Sequence, residues 1–271
     1  MKIVISHDVD HITFSEHNKD LIVPKHIVRG FIELGFGYIS ISETVGRIKS
    51  IVQNKWQNLE KLMQFDRESS VHSTYFFGVS KGKGLTYSKE DARFWIRKTL
   101  QEGFDVGVHG IAFDNYDDIK DEYETFRKLS GIEKFGIRMH YLRNTNNTLP
   151  FLNKAGYVFD TTLYKFEDPF NVGELWEFPL HIMDCSIICK NSPWQNQNLE
   201  QAKEATKRVI ENCFNMSLKY FTILFHDNYF CNSFNTWKMW YIWLIEYLKQ
   251  NKFVFINYHE AIRELGGDNV G

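Results

Sequence analysis

Five short apolar segments of this sequence each end in residues that can bind a metal or transfer a proton. The segments are Ile3–His11, Val106–Gly110, Gly136–Tyr141, Val158–Asp160 and Ile223–Asp227. Each apolar run has the length and composition of a β-strand. Because the carboxyl ends of parallel strands meet at one edge of a sheet or barrel, we expect the five polar ends to lie together. The pattern therefore predicts a parallel barrel or sheet with an active site at its strand C-termini.

Strand-like runs alternate with amphipathic helical runs along the rest of the chain. We predict strands over 2–7, 71–79, 105–109, 136–140, 158–161, 175–182, 220–226 and 253–256. We predict helices over 25–34, 54–65, 88–103, 118–129, 148–155, 199–214, 236–250 and 259–265. This alternation indicates an α/β fold with helical crossovers. With 271 residues, we expect a single catalytic domain over 1–271, a distorted (β/α) barrel of about seven parallel strands.

Composition and charge exclude several classes of protein. The chain has 32 basic and 34 acidic residues, and its net charge of −2 gives no electrostatic footprint for nucleic acid or an anionic membrane. No apolar run approaches the roughly 18–20 residues of a membrane span. The sequence starts directly with a strand and shows no secretory signal, so we expect a cytoplasmic protein. The four cysteines lack zinc-finger spacing, and we interpret them as buried thiols.

Aromatic residues are concentrated in the predicted helix over 236–250. Trp237, Trp240, Tyr241 and Leu244 recur at i, i+3, i+4 and i+7, so they share one helical face. We interpret this face as a cover packed on the barrel. A platform for a partner or a sugar ring is the alternative, since aromatic rings stack on such groups.

The first polar segment holds two aspartates that alternate along an extended chain, so Asp8 and Asp10 fall on the same side. Two close carboxylates repel each other, and both stay ionised only if a cation, or a difference in their roles, relieves this repulsion. A metal bound by one, with the other acting as a base, satisfies this condition; loop-capping aspartates are the alternative. His109 and His226 each end a strand and could be core histidines, but convergence in a parallel barrel would join them to one site.

These motifs, in this order, resemble the polysaccharide deacetylases of carbohydrate esterase family four, which include the chitooligosaccharide deacetylases. The resemblance extends from Ile3 to about Leu265 and marks a divergent member. The family's catalytic domain is a distorted (β/α) barrel that removes N- or O-acetyl groups from sugars with a divalent metal, usually zinc. The resemblance therefore implies metal-assisted hydrolysis of an acetylated sugar or oligosaccharide precursor.

The resemblance also implies a role for each matching residue. The implied roles are Asp8 as general base, Asp10 and His109 as metal ligands, Arg138 as the residue that orients the base, Asp160 as the acid that supports Arg138 or the groove wall, and His226 as general acid. Tyr141, the last residue of the third motif, and Arg143, just after it, are the expected substrate-binding residues.

Two positions depart from the family pattern. The second motif normally has another histidine four residues after its first, and this chain has Phe113 there. The third motif usually has proline where this chain has His140. We expect His140 to supply the missing imidazole as a metal ligand, with Asp114 and His11 as competing candidates.

Three functions are consistent with the sequence. The first is a metal-dependent sugar deacetylase. The second is a hydrolase of the same fold acting on a small non-sugar amide or cyclic ureide. The third is a non-catalytic relative that binds a glycan, since the second histidine of the usual metal motif is missing.

Overall fold

The computed structural model describes residues 1–266. Within them the strands are β1 (Lys2–Val9), β2 (Thr74–Phe77), β3 (Asp105–Gly110), β4 (Ile137–Met139), β5 (Phe159–Asp160), β6 (Phe170–Val172), β7 (Leu175–Glu177), β8 (Ile182–Met183), β9 (Tyr220–Leu224) and β10 (Val254–Phe255). The helices are α1 (Ile22–Gly35), α2 (Ile41–Val52), α3 (Leu59–Glu68), α4 (Lys89–Gln101), α5 (Tyr116–Ser130), α6 (Thr148–Ala155), α7 (Asp184–Ile188), α8 (Leu199–Asn215), α9 (Asn235–Gln250) and α10 (Tyr258–Gly266). None of the helices in this range is both long and apolar enough to cross a bilayer.

The strands form one curled, mostly parallel sheet. Their order is β6-β7-β5-β4-β3-β2-β1-β9-β8, and β10 pairs with the start of β1. Only the β6–β7 pair is antiparallel within residues 1–266. The sheet closes into a half-barrel, which confirms the predicted distorted (β/α) barrel. Parallel pairing of β1 with both β2 and β9 brings the first and fifth polar segments to the same edge.

The structure adds β6, α2 and α7 to the predicted elements and divides one predicted strand. Helix α2 was not predicted, although Ser40 and Glu43 form a capping box at its start. The predicted strand over 175–182 is two strands, β7 beside β5 and β8 beside β9. Pro179 lies between them, and because proline has no backbone N–H it interrupts a strand ladder.

The Trp-rich helix α9 packs on the barrel, as predicted. Trp237, Trp240, Tyr241 and Leu244 are fully buried. The two buried indoles keep their N–H groups satisfied: Trp237 Nε1 donates to Gln195 at 2.9 Å, and Trp240 Nε1 donates to the Thr206 hydroxyl at 2.8 Å. This helix is therefore part of the core rather than an exposed aromatic platform.

Helices α1 and α2 form a hairpin that buries an ion pair between Glu33 and Arg47. Glu33 on α1 is fully buried and lies 2.7 Å from Arg29 Nε and 2.6 Å from Arg47 Nη1 on α2. The backbone N–H of Gln195 also donates to Glu33 at 2.7 Å. Burying a carboxylate costs several kcal/mol unless cations and donors surround it. The Glu33–arginine cluster therefore fixes how the hairpin sits on the barrel.

Replacing Glu33 with Gln would leave two largely buried guanidinium groups without their carboxylate. We expect the free energy of unfolding, measured by urea denaturation, to fall by about 3–5 kcal/mol. Glu246→Gln is the matched control, since Glu246 is exposed on α9 and its loss should change stability by less than about 0.5 kcal/mol. Equal effects of the two substitutions would show that the buried cluster contributes no more than a surface charge.

Candidate active site

The alternation of side chains along β1 divides its polar residues between two environments. Asp8 and Asp10 face the inside of the half-barrel, where the polar ends of the other strands converge. His7 faces the opposite way: its Nδ1 donates to the carbonyl of Phe225 at 2.9 Å, and its Nε2 lies 2.9 Å from Asp66. His7 is fully buried in that network. Within the first motif, only the two aspartates therefore belong to the candidate site.

Asp8 is held by a buried guanidinium. Arg138 Nη1 donates to Asp8 Oδ1 at 2.9 Å, and both residues are almost completely excluded from solvent. Arg138 also donates to the Ser6 hydroxyl at 2.6 Å and to the carbonyl of Thr161 at 3.1 Å. Burial alone would raise the pKa of Asp8, but the charges of Arg138 and His109 outweigh it and lower the pKa. Asp8 is thus an ionised carboxylate in a fixed orientation.

Asp10, His109 and His140 form a compact group, called here the ligand cluster. His109 Nε2 lies 3.1 Å from Asp10 Oδ1, His140 Nδ1 lies 3.3 Å from the same oxygen, and the two ring nitrogens are 2.9 Å apart. Ligand atoms bound at about 2.0–2.1 Å to a tetrahedral zinc lie about 3.3 Å from one another. The three atoms of the cluster are therefore spaced as ligands of one small metal ion, a group of three that can hold such an ion.

The hydrogen bonds of the outer imidazole nitrogens determine the tautomer of each ring, and therefore whether the inner nitrogen carries a lone pair. His109 Nδ1 donates to the carbonyl of Arg138 at 3.1 Å, and His140 Nε2 donates to the carbonyl of Lys83 at 3.2 Å. In neutral rings the inner nitrogens, His109 Nε2 and His140 Nδ1, then both carry lone pairs that face each other. A proton on one inner nitrogen or a metal ion between the two removes this repulsion, and backbone carbonyls are common outer partners of metal-bound histidines.

The electrostatics of the ligand cluster also favour positive charge. Burial would raise the pKa of Asp10, but His140 and the hydrogen bonds from both histidines hold it well below its usual range. Burial would lower the pKa of His140, and Asp10 overcomes this and raises it. The residues present therefore fit a divalent cation.

His226 reaches the site from the end of β9, and Asp184 orients it. His226 Nδ1 lies 2.9 Å from Asp184 Oδ1, its backbone N–H donates to Asp184 Oδ2 at 2.7 Å, and its Nε2 points toward Asp10 at 3.7 Å. Burial lowers the pKa of His226, but Asp184 and Asp10 raise it to about 10. Asp227, its neighbour in sequence, instead accepts from the backbone N–H of Asn58 at 3.0 Å. His226 is thus a protonated imidazole beside the ligand cluster.

Asp160 lies one layer behind the site. It accepts from the Thr162 hydroxyl at 2.6 Å and is paired with Glu177, and burial raises the pKa of both carboxyls. Its neighbour Thr161, rather than Asp160 itself, provides the acceptors for Arg138. Asp160 therefore makes no hydrogen bond to Arg138. Its charge helps to raise the pKa of Arg138, and the next residue in the chain, Thr161, accepts the hydrogen bonds.

The third segment ends in a strained turn. Tyr141 and Leu142 have φ values of +59° and +51°, in the left-handed region that costs a non-glycine residue about 1 kcal/mol or more. Tyr141 is 69% exposed, and its ring lies 4.2 Å from that of His140. Arg143 donates to the carbonyls of His140 and Ile111 at 3.1 and 2.8 Å. Arg143 thus holds the turn that presents His140, while Tyr141 stands at the solvent side.

The competing ligand candidates lie elsewhere. Asp114 is exposed, and Phe113 packs under the guanidinium of Arg143 at 4.8 Å. His11 turns away from the ligand cluster, with its Nδ1 2.9 Å from His17 Nε2 and 3.8 Å from Glu16. Of the candidates considered, His140 alone joins Asp10 and His109 in the described part of the chain.

Sequence reasoning missed Asp184, the partner of His226. It also missed the hydroxyl groups of Ser6, Thr161 and Tyr258, which surround Arg138. Asp184 follows β8 directly, so an acid at a strand end was the available signal. That signal was hidden because the predicted strand over 175–182 merged two separate strands.

Comparisons with known proteins agree with this architecture. No protein-family model and no curated protein matches the sequence. Among solved structures, a Mycobacterium smegmatis protein assigned as a polysaccharide deacetylase has a TM-score of 0.66, with 14% identity over 97% of this chain and 88% of its own. The allantoinase PuuE has a TM-score of 0.60, with 11% identity over 97% of this chain and 88% of its own. A mutant of a family-four carbohydrate esterase pseudoenzyme with restored activity has a TM-score of 0.50, with 9% identity over 96% and 66%.

At 9 to 14% sequence identity, the similarity to these structures establishes the fold of this chain. The chain has the fold of the polysaccharide deacetylases and carbohydrate esterase family four, as its motifs predicted, and the low identity makes it divergent. The same fold also includes an allantoinase and a pseudoenzyme. What this chain does therefore has to be argued from its own site.

The ligand cluster predicts which histidine is needed for metal binding. His140→Ala should weaken zinc affinity by roughly 100-fold or more, because it removes one of three ligand atoms. His72→Ala is the matched control and should leave the affinity within about threefold of the original, since His72 is exposed and is not part of the ligand cluster. Titration against a chromophoric chelator measures both affinities. Unchanged zinc affinity in His140→Ala would remove His140 from the ligand set.

Proposed function

We propose that this protein is a metal-dependent hydrolase that removes an acetyl group, N-linked or O-linked, from a sugar or glycan precursor. The observation that carries the proposal is the joining of three parts in one site: the ionised Asp8 beside Arg138, the ligand cluster, and the protonated His226 beside Asp184. A base, a cation site and an acid are the groups that acyl hydrolysis needs.

Asp8 is the proposed general base. Its Oδ1 is occupied by Arg138, and its Oδ2 faces His109 Nε2 at 3.8 Å. Because Arg138 cannot lose its proton at ordinary pH, it keeps Asp8 ionised and in one orientation. The second carboxylate oxygen is then available to take a proton from the attacking water.

His226 is the proposed general acid. With its pKa raised to about 10, the imidazole carries a proton at neutral pH. Asp184 binds Nδ1, so Nε2 is the nitrogen that can deliver a proton to the departing amine or alcohol. Asp8 and His226 therefore have opposite protonation states at the same pH, as an acid–base pair requires.

Asp10, His109 and His140 would hold the cation. When bound there, a divalent metal such as zinc supplies a Lewis acid that polarises the acyl carbonyl and lowers the pKa of water. Asp10 provides the anionic ligand, and the backbone carbonyls of Arg138 and Lys83 hold the two imidazoles in the required tautomers.

Two other functions share parts of this site. The likeness to an allantoinase motivates a hydrolase acting on a small non-sugar amide or cyclic ureide. The likeness to a pseudoenzyme motivates a non-catalytic glycan-binding protein. The presence of the base, its arginine and the acid in bonded positions favours a catalyst over the non-catalytic alternative.

Acetate release from a chitooligosaccharide, measured with a coupled enzymatic assay, tests the proposal. Asp8→Asn and His226→Ala should each lower kcat by roughly 100- to 10,000-fold while the metal content stays unchanged, since each removes a proton-transfer group and no ligand. Asp10→Asn or His109→Ala should lose the metal as well as the activity. Asp114→Asn, at an exposed neighbouring position, is the control and should behave like the original protein.

Each alternative predicts a different result in the same assay. Near-normal acetate release by Asp8→Asn would show that the base is misassigned. Ureide hydrolysis without acetate release would support the small-amide hydrolase. Metal and glycan binding without turnover of either substrate would support the non-catalytic protein.

Asp184 predicts a change in the pH profile. A general acid works while it is protonated, so activity is retained below its pKa and lost as the pH rises through it. Asp184→Asn removes the main charge that raises the pKa of His226, so the alkaline limb of kcat/KM should move to lower pH. Asp114→Asn is the control, because Asp114 is exposed and is not among the charges that raise the pKa of His226. An alkaline limb that stays in place in Asp184→Asn would contradict the acid role of His226.

A further inference from the structure

The hairpin of α1 and α2 exposes many of its apolar side chains and buries Glu33 and Arg47. On α2, Ile41, Val45, Ile48 and Val52 are 72, 58, 43 and 81% exposed. They recur at i, i+4, i+7 and i+11, so they form one stripe along the helix. The residues of α2 that are buried are Thr44 and Arg47. The usual arrangement of a surface helix is therefore reversed.

Helix α1 and the loop after it continue this surface. On α1, Val28 and Phe31 are each 55% exposed, whereas the buried residues are Gly30 and Glu33. Phe36, in the loop between the helices, is 65% exposed. Because both helices direct their buried faces toward the Glu33–Arg47 pair, their apolar faces both point outward. Several large apolar side chains exposed on two adjoining helices are typical of an interaction site.

Charge distinguishes between the surfaces that could cover the hairpin. The exposed charged side chains between residues 18 and 55 are four lysines: Lys19, Lys25, Lys49 and Lys55. In a contact between two copies, both sides would carry these lysines, so positive charge would accumulate at the interface. Anionic lipid headgroups complement them instead, while the acyl region accepts the apolar stripe.

The hairpin also borders a groove of about 520 Å³. His11, Leu21, Val28, Trp56 and Trp194 are among the residues that line it. A surface that binds the hairpin therefore also lies beside this groove.

We propose that the α1–α2 hairpin is a membrane-docking surface, which lies in the interface of an anionic bilayer without crossing it. Val28, Phe31, Val45 and Ile48 enter the boundary between headgroups and acyl chains, and the lysines contact the headgroups. Docking in this way places the groove beside the hairpin at the membrane surface. The overall charge of −2 does not oppose this, because the local charge of the exposed surface is positive.

Flotation with phosphatidylglycerol–phosphatidylcholine vesicles tests the proposal with the intact chain. The protein should float with these vesicles and about tenfold less with pure phosphatidylcholine or in 0.5 M NaCl. Phe31→Glu combined with Val45→Glu should lower the vesicle-bound fraction at least tenfold. Phe214→Glu is the matched control, since Phe214 is 67% exposed on α8 away from the hairpin, and it should bind like the original. Circular dichroism melting checks that each variant is folded.

Three results would overturn the proposal. The first is a failure of the original protein to float with anionic vesicles. The second is equal flotation of the double variant and the original. The third is a dimer, seen by light scattering, that the double variant abolishes while neither protein binds vesicles; the hairpin would then be an interface between copies. None of these measurements uses catalytic activity, so they stand apart from the proposed deacetylation.

Discussion

The buried ion pair between Arg138 and Asp8 constrains the shape of the sheet, because it joins side chains from two strands that are not neighbours. Asp8 is on β1 and Arg138 is on β4, with β2 and β3 between them. A flat sheet would keep the two side chains roughly three strand spacings apart, about 14 Å. A guanidinium left alone in the core would cost several kcal/mol, so the sheet has to curl until the two strand ends meet. In the half-barrel the two side chains are close enough to form the ion pair.

The same curl concentrates opposite charges within one small volume. Asp10, His109 and His140 meet because β1, β3 and the turn after β4 end at the same edge. Arg138 lowers the pKa of Asp8 while Asp184 raises that of His226, so neighbouring groups are held in different protonation states. The acid–base pair and the cation site therefore depend on one geometric feature, the convergence of the strand ends.

The α1–α2 hairpin has the opposite distribution of polar and apolar side chains. Its buried face is polar because Glu33 has to be surrounded by Arg29 and Arg47, and its outward face is apolar. A pattern of helical periodicity identifies an apolar face but does not say whether that face points to the core. Sequence reasoning accordingly found α1 and missed α2, and it assigned no membrane contact to a chain with a net charge near zero.

Local patterns in the sequence determined the strand–helix alternation, the burial of the Trp-rich helix and the polar strand ends, because these depend on residues close in the chain. Alternation along β1 also placed Asp8 and Asp10 on one side. The tertiary structure decided that His140 rather than His11 or Asp114 joins Asp10, and that Asp184 rather than Asp227 binds His226. Those partners are 42 to 130 residues apart, and only the curl of the sheet and the path of the loops bring such residues within hydrogen-bonding distance.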